Sequence, residues 1–231
     1  MVFMPHWPKP LGFRPTDFSL IRIHDVLEKL GNPEKKMPPA IHVAGTNGKG
    51  STIAFLNSVL HSAGYKAHIY TSPHLVEFNE RIVLSGSKIS DINLYNTLEE
   101  VRLASEGIPI TFFEGTTIAA FLAFSRINAD VCIIETGMGG RLDATNVIRP
   151  IMSIITSISL EHTGFLGPTV EIIAGEKCGI MKEGITCIVS PQQSSVMQVI
   201  ESYAIRNHSP IYRGGIDWFS YRSSHHMIFE T

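Results

Sequence analysis

The 231-residue sequence is poor in cysteine, in net charge and in long apolar runs, and each shortage closes off a class of protein. Its three cysteines, Cys132, Cys178 and Cys187, are odd in number and form no CxxC pair, so neither a disulfide framework nor a structural zinc site is indicated. A reducing, cytoplasmic setting is the expectation that follows. Lys and Arg total 19 against 21 Asp and Glu, a formal charge of −2, which lacks the basic excess of a protein that grips nucleic-acid phosphates. The most apolar stretch, around Thr116 to Phe124, falls short of the roughly 20 residues that span a bilayer. At the N-terminus, MVFMPHWPKP is broken by three prolines and lacks the continuous apolar core of a signal peptide. Neither nucleic acid nor membrane is therefore expected as a partner. Internal repeats and low-complexity segments are missing as well. With 44% hydrophobic and 17% charged residues, the chain reads as ordered and long enough for one α/β core.

Hydrophobic periodicity divides that core. Up to about residue 18 the chain is Pro-rich and aromatic and reads as an arm, with Trp7 in it. Ser19 offers a helix N-cap, Leu20, Ile23, Val26, Leu27 and Leu30 recur at helical spacing, and Gly31 stands where a left-handed C-cap belongs. Ala40 to Ala44 is a short apolar run ending at a Gly-rich turn, and a second helical pattern (Ile53, Phe55, Leu56, Val59, Leu60) stops at Gly64. Residues 66–71 read as a strand and 72–86 as a long loop of the kind that carries function in compact domains. Helices are expected over 91–105, 114–127, 170–181 and 196–206, and strands over 130–135, 151–156 and 185–189. Such alternation predicts a mostly parallel, doubly wound α/β sheet with ligands at the carboxyl ends of its strands.

Gly45-Thr46-Asn47-Gly48-Lys49-Gly50-Ser51 lies between an apolar strand and a helix, where a phosphate cradle must be. Glycines let the backbone turn its N–H groups toward an anion, the helix N-terminus adds about half a positive charge, and Lys49 adds a point charge for the terminal phosphates. The loop departs from GxxxxGK[ST] in its closer first glycine and in Gly50, which separates Lys49 from Ser51. All seven residues are expected to bind ATP. Glu135 ends an apolar strand just before a second glycine-rich loop. On residues alone it is either a solvated edge carboxylate or, given the phosphate loop, a group facing Mg²⁺.

The motifs together resemble the folylpolyglutamate synthase/dihydrofolate synthase family, within the wider Mur ligase group. They are His42 to Ser51, Thr71-Ser-Pro-His-Leu75, Glu80-Arg81-Ile82, Phe113-Glu114, Glu135 to Asn146, Leu160 to Gly167 and Glu176-Lys-Cys-Gly-Ile180, in the family's order. The resemblance implies an ATP-binding Mur-ligase-like domain and the ATP-dependent joining of L-glutamate to dihydropteroate, a reduced folate, or both. It implies Mg²⁺, two ions, at Ser72, Glu135, His162 and Lys177, with His162 read as ending a later strand. Lys177, otherwise a snorkelling cation, is implied to react with CO₂ to give a carbamate. Lys49, His162 and Lys177 are the implied catalytic residues. Thr111, Phe112, Phe113 and Glu114, with Arg141, Leu142, Asp143 and Ala144, are implied to hold the pteroate part. On chemistry alone, Phe112 and Phe113 are equally core residues, and Arg141 and Asp143 equally a loop-stabilising ion pair.

Competing readings are a cell-wall Mur ligase, a phosphoryl-transfer kinase, and a non-catalytic fragment or half of a split enzyme. Family members are, by the resemblance, about twice as long, with a C-terminal domain that closes over glutamate and nucleotide. The chain is accordingly expected to comprise an arm (1–18), a motif-bearing core (19–215) and an atypical tail (216–231) beside an exposed sheet edge. The missing half is a candidate partner chain; otherwise a monomer is expected, binding ATP weakly without turnover.

Overall fold

Every residue of Ala40–Ala44 (β1) and Val131–Glu135 (β5) is buried, as in strands covered on both faces. The computed structural model describes residues 19–224 and 226–231 and sets these strands side by side in the middle of an eight-stranded sheet. The arm expected over 1–18, with Trp7, lies outside the described residues. The remaining strands are Ala67–Tyr70 (β2), Ile82–Leu84 (β3), Ser87–Lys88 (β4), Met152–Ile155 (β6), Cys187–Val189 (β7) and Ile211–Arg213 (β8). Their order is β4-β3-β2-β5-β1-β6-β7-β8, parallel except at β3 and β4. The helices are Ile21–Lys29 (α1), Lys49–Ser62 (α2), Asp91–Ala104 (α3), Phe112–Arg126 (α4), Thr163–Leu166 (α5), Val170–Lys177 (α6) and Ser194–Arg206 (α7). None among the described residues is long and apolar enough to cross a membrane.

Alternation along the strands sends side chains to two helical layers. Ile41, Val43, Ile69, Ile133 and Ile154 pack with Ile53 of α2, whereas Ala40, Tyr70, Cys132 and Ile134 pack with α1, α3 and α4. A third cluster joins Ile155, Cys187 and Val189 to α6 and α7. The most apolar stretch of the sequence, Thr116 to Phe124, lies within the buried run Glu114 to Phe124 of α4, wedged between the sheet and its neighbouring helices.

Segment 72–86 is not one loop. Phe78–Arg81 is a 3-10 turn closed by a Glu77/Glu80 capping box, and β3 then runs antiparallel to β2 with Ile82 opposite Tyr70. One carboxylate, Glu80, organises the approach by accepting the N–H groups of Leu75, Val76 and Glu77. Helix α4 begins at Phe112 rather than Glu114 because the Glu114 N–H donates to Thr111 Oγ1 (3.2 Å) and the Thr111 N–H to Glu114 Oε2 (2.6 Å). His162 does not end a strand: it lies beyond β6 in a left-handed turn (φ 43°) that opens α5. The sheet gains the unforeseen β8, which forms its edge, while Phe219–Arg222 (β9) and Met227–Glu230 (β10) make a separate antiparallel hairpin.

Candidate active site

The loop after β1 turns sharply toward the segment that follows β6. Gly45 has φ 148°, and a Cβ there would stand 1.8 Å from Thr156 Oγ1. Gly48, at φ 86°, opens α2. The N–H groups of Thr46 and Asn47 both donate to the Ser157 carbonyl (2.9 and 3.1 Å), and the Thr46 hydroxyl donates to the Ser159 carbonyl (3.1 Å). This leaves Gly48, Lys49, Gly50 and Ser51 at the head of a 14-residue helix, whose first N–H groups have no carbonyl within the helix to bond. Gly45→Ala is expected to cost about 2 kcal/mol of stability, because the added methyl meets the Thr156 side chain at a backbone angle that disfavours it. Chemical denaturation checks this, and a cost below about 0.5 kcal/mol would refute the close approach.

Four charges converge under this loop. Lys49 Nζ donates to Gly45 O (2.9 Å) and Thr46 O (3.4 Å) and lies 4.0 Å from Glu135 Oε1. Lys177, only 1% exposed, reaches the same Gly45 carbonyl (2.9 Å) and pairs with Glu161 Oε1 at 2.5 Å. Burial pushes the Lys177 ammonium below its usual range and Lys49 adds to that, while Glu161 opposes it. Burial likewise lifts the Glu135 carboxyl, against the Ser72 N–H (3.0 Å to Oε2) and the Lys49 charge. Two cations sharing one carbonyl are tolerable here because two carboxylates flank them.

Beside the charges opens a cavity of about 750 Å³. Ser72, Arg81 and His162 stand on its walls with Thr111 to Glu114, Leu142, Asp143 and Ala144, so both segments expected to hold the pteroate part meet there. Arg141 is not on the wall. It does not pair with Asp143 either; its Nε bonds Glu176 Oε1 at 3.1 Å. Glu114 already spends both oxygens on the protein, one on the Thr111 N–H and one on Arg22 Nη2 (3.0 Å). The Phe113 ring packs so closely over Gly137 that a Cβ there would lie 2.3 Å from its Cζ.

Asp143 is buried and accepts four hydrogen bonds. Its Oδ2 takes the N–H groups of Gly137 and Met138 (2.9 and 2.8 Å), and its Oδ1 takes the Thr145 N–H and hydroxyl (3.0 and 2.5 Å). Because the Thr145 hydroxyl donates to the carboxylate, it accepts from His42 Nε2 (2.8 Å), which fixes the proton on that nitrogen. Buried His42 Nδ1 is left with no partner among the described residues. Burial, with Lys182 nearby, pushes the imidazole pKa down to about 3. His42 and Arg81 stand in the motifs His42 to Ser51 and Glu80-Arg81-Ile82 without a role assigned to them there, whereas nothing local in the sequence distinguishes Arg22.

Residues 43–217 match the family described as Mur ligase middle domain. Within it, the chain belongs to the folylpolyglutamate synthase/dihydrofolate synthase family. It is 44% identical over 212 residues to the dihydrofolate synthase/folylpolyglutamate synthase of Bacillus subtilis (strain 168), covering 89% of this chain and 48% of that protein. Against the protein of that name from Escherichia coli (strain K12), identity is 37% over 219 residues, covering 95% and 51%. The solved structure of E. coli FolC in complex with DHPP and ADP matches with a TM-score of 0.89 and 35% identity, over 98% of this chain and 56% of that one. The chain spans about half the length of the curated relatives it matches.

Proposed function

We propose that this chain carries the nucleotide and acceptor-acid sites of an ATP-dependent ligase that joins L-glutamate to dihydropteroate or a reduced folate. One observation carries the reading: Ser72 and Glu135 link the cavity to the glycine loop. Ser72 lines the cavity and donates its N–H to Glu135, which lies 4.0 Å from Lys49. An acid seated in the cavity has its carboxylate beside the terminal phosphate of a nucleotide on the loop. Attack of a carboxylate oxygen on the γ-phosphorus, with ADP leaving, gives an acyl phosphate. The glutamate amine then adds to the carbonyl carbon and phosphate departs. Both steps bring anions together, and Lys49, leaving the Gly45 and Thr46 carbonyls, neutralises part of that charge. The E. coli relative, solved with DHPP and ADP, supports the pairing of sites.

The residues fit Mg²⁺ bound with the nucleotide. Glu135 offers a buried carboxylate and Ser72 a hydroxyl, and magnesium usually takes one or two protein ligands with phosphates and waters completing its shell. Among the described residues no group of three or more His, Cys, Asp and Glu side chains is placed to hold a metal unaided. Bound there, Mg²⁺ would offset the charge of the phosphates. Lys177 as an ammonium paired with Glu161 repels a cation, so its proposed role as ligand, beside His162, requires the carbamate form.

Lys49→Ala is expected to weaken ATP binding about 20-fold, the loss of one charge-assisted hydrogen bond, with little effect on the acid. Calorimetric titration of the two ligands checks this. Equal ATP affinity in the variant would remove the phosphate-loop assignment.

A further inference from the structure

Arg81 belongs to a motif with no task in the scheme above, and its surroundings are unusual. It is 7% exposed, yet among the described residues no carboxylate lies within ion-pair distance of it. Its Nε donates to His74 Nδ1 at 2.9 Å, and its guanidinium lies 5.3 Å from the centroid of the Phe78 ring. The other four N–H donors, on Nη1 and Nη2, have no partner among the described residues. Burial pushes its pKa below the usual value, with Tyr70 and Glu135 acting against that shift, and the group stays a cation. Nη1 and Nη2 are not sealed in the interior, where an unmet charge is costly, but open on the cavity, where a ligand can supply the opposite charge.

The backbone fixes where that ligand must sit. Arg81 ends the 3-10 turn, and its carbonyl accepts the Thr71 N–H at 3.0 Å, one residue before Ser72. Arg81 therefore lines the cavity beside the carboxyl end of β2, together with Ser72, Phe112 and Phe113. Lys49 and the head of α2 already serve phosphate. A planar fork with a free edge, stacked on Phe78 beside an aromatic wall, suits the two oxygens of a carboxylate.

We propose that Arg81 is the specificity residue of this cavity: its open edge receives the carboxylate of an aromatic acid and points that group at the phosphate loop. The inference rests on the cavity being the acceptor-acid site. Discrimination between a free acid and its neutral ester would come from this one side chain, while the aromatic wall holds the ring system of either.

The test compares binding of pteroic acid and its methyl ester to the 231-residue chain, with and without Arg81→Gln and Arg81→Lys, by fluorescence titration. In the wild type the acid should bind at least about tenfold tighter than the ester. Arg81→Gln should bind both as the wild type binds the ester, and Arg81→Lys should recover part of the preference. Retention of the acid preference in Arg81→Gln overturns the inference while leaving the cavity reading intact. If that variant instead loses ATP affinity about tenfold and keeps the acid preference, the anion is a phosphate and the inference fails. Wild-type protein that binds neither compound removes the cavity reading and the inference with it. Thermal midpoints separate a purely structural role. A side chain whose free edge serves a ligand leaves the Arg81→Gln midpoint close to that of the wild type, whereas large losses in both variants would make Arg81 a packing residue.

Discussion

Asp143→Ala should lower the stability of the folded chain by about 3 kcal/mol, seen as a thermal midpoint reduced by roughly 10 °C for a protein of this size. The substitution removes the acceptor of the Gly137, Met138 and Thr145 N–H groups at once. Each buried donor left unmet costs about 1–3 kcal/mol, partly offset because the carboxylate itself resists burial, as its raised pKa records. Asp143→Asn should recover little, since its amide nitrogen would face one pair of donors. The turn from Gly137 to Ala144 also forms part of the cavity wall, so both variants should lose acid binding along with stability. A loss below about 1 kcal/mol would mean that water replaces the carboxylate without penalty, and the turn would not depend on it.

His42→Gln should flatten the dependence of stability on acid. Folding holds the imidazole neutral, with its pKa lowered from 6.5 to about 3, chiefly by burial. Between those values the unfolded chain binds a proton there that the folded chain does not, so stability falls as pH drops. The contribution is intact above about 6.5 and is lost progressively toward 3. At pH 5 the wild type should have lost about 2 kcal/mol through this group, at 1.36 kcal/mol per unit. Glutamine keeps a donor for Thr145 and has nothing to titrate. Denaturation curves at pH 7 and pH 5 for both proteins give the difference, with other groups cancelling. Parallel losses would show that His42 is protonated in place.

The sequence was most informative where structure is local. Ala40 to Ala44 formed the strand that its apolar run foretold, and the glycine loop between it and α2 is one contiguous stretch. The short strands were illegible for a physical reason. Ile82–Leu84 and Ile211–Arg213 are too brief to establish a period, and their conformation is settled by pairing with Tyr70 and with β7. Site residues followed the same division. Lys49 is readable from its own loop, but Lys177 meets the Gly45 carbonyl across 132 residues, and His42 meets Thr145 across 103. Glu114 reads as a ligand from its motif; its cap on Thr111 is local, three residues away, whereas its pair with Arg22 depends on what the fold brings beside it. Arg81 stands out in the sequence as part of Glu80-Arg81-Ile82, but its place on the cavity wall and its bond to His74 come only from the fold.

Strand order also sets a timetable for synthesis. Strand β1 pairs with β5 and β6 alone, and β2 finds its parallel neighbour in β5. About 90 residues separate Ala44 from Val131, so at 5–20 residues per second roughly 5–20 s pass between translation of β1 and of its first partner. Throughout that interval a five-residue apolar strand has all its edge hydrogen bonds unpaired. The glycine loop after β1 waits longer, because Thr46 and Asn47 are held by the carbonyl of Ser157. If the loop binds nucleotide as proposed, binding competence during translation should switch on only after β6 and the residues just beyond it have left the ribosome.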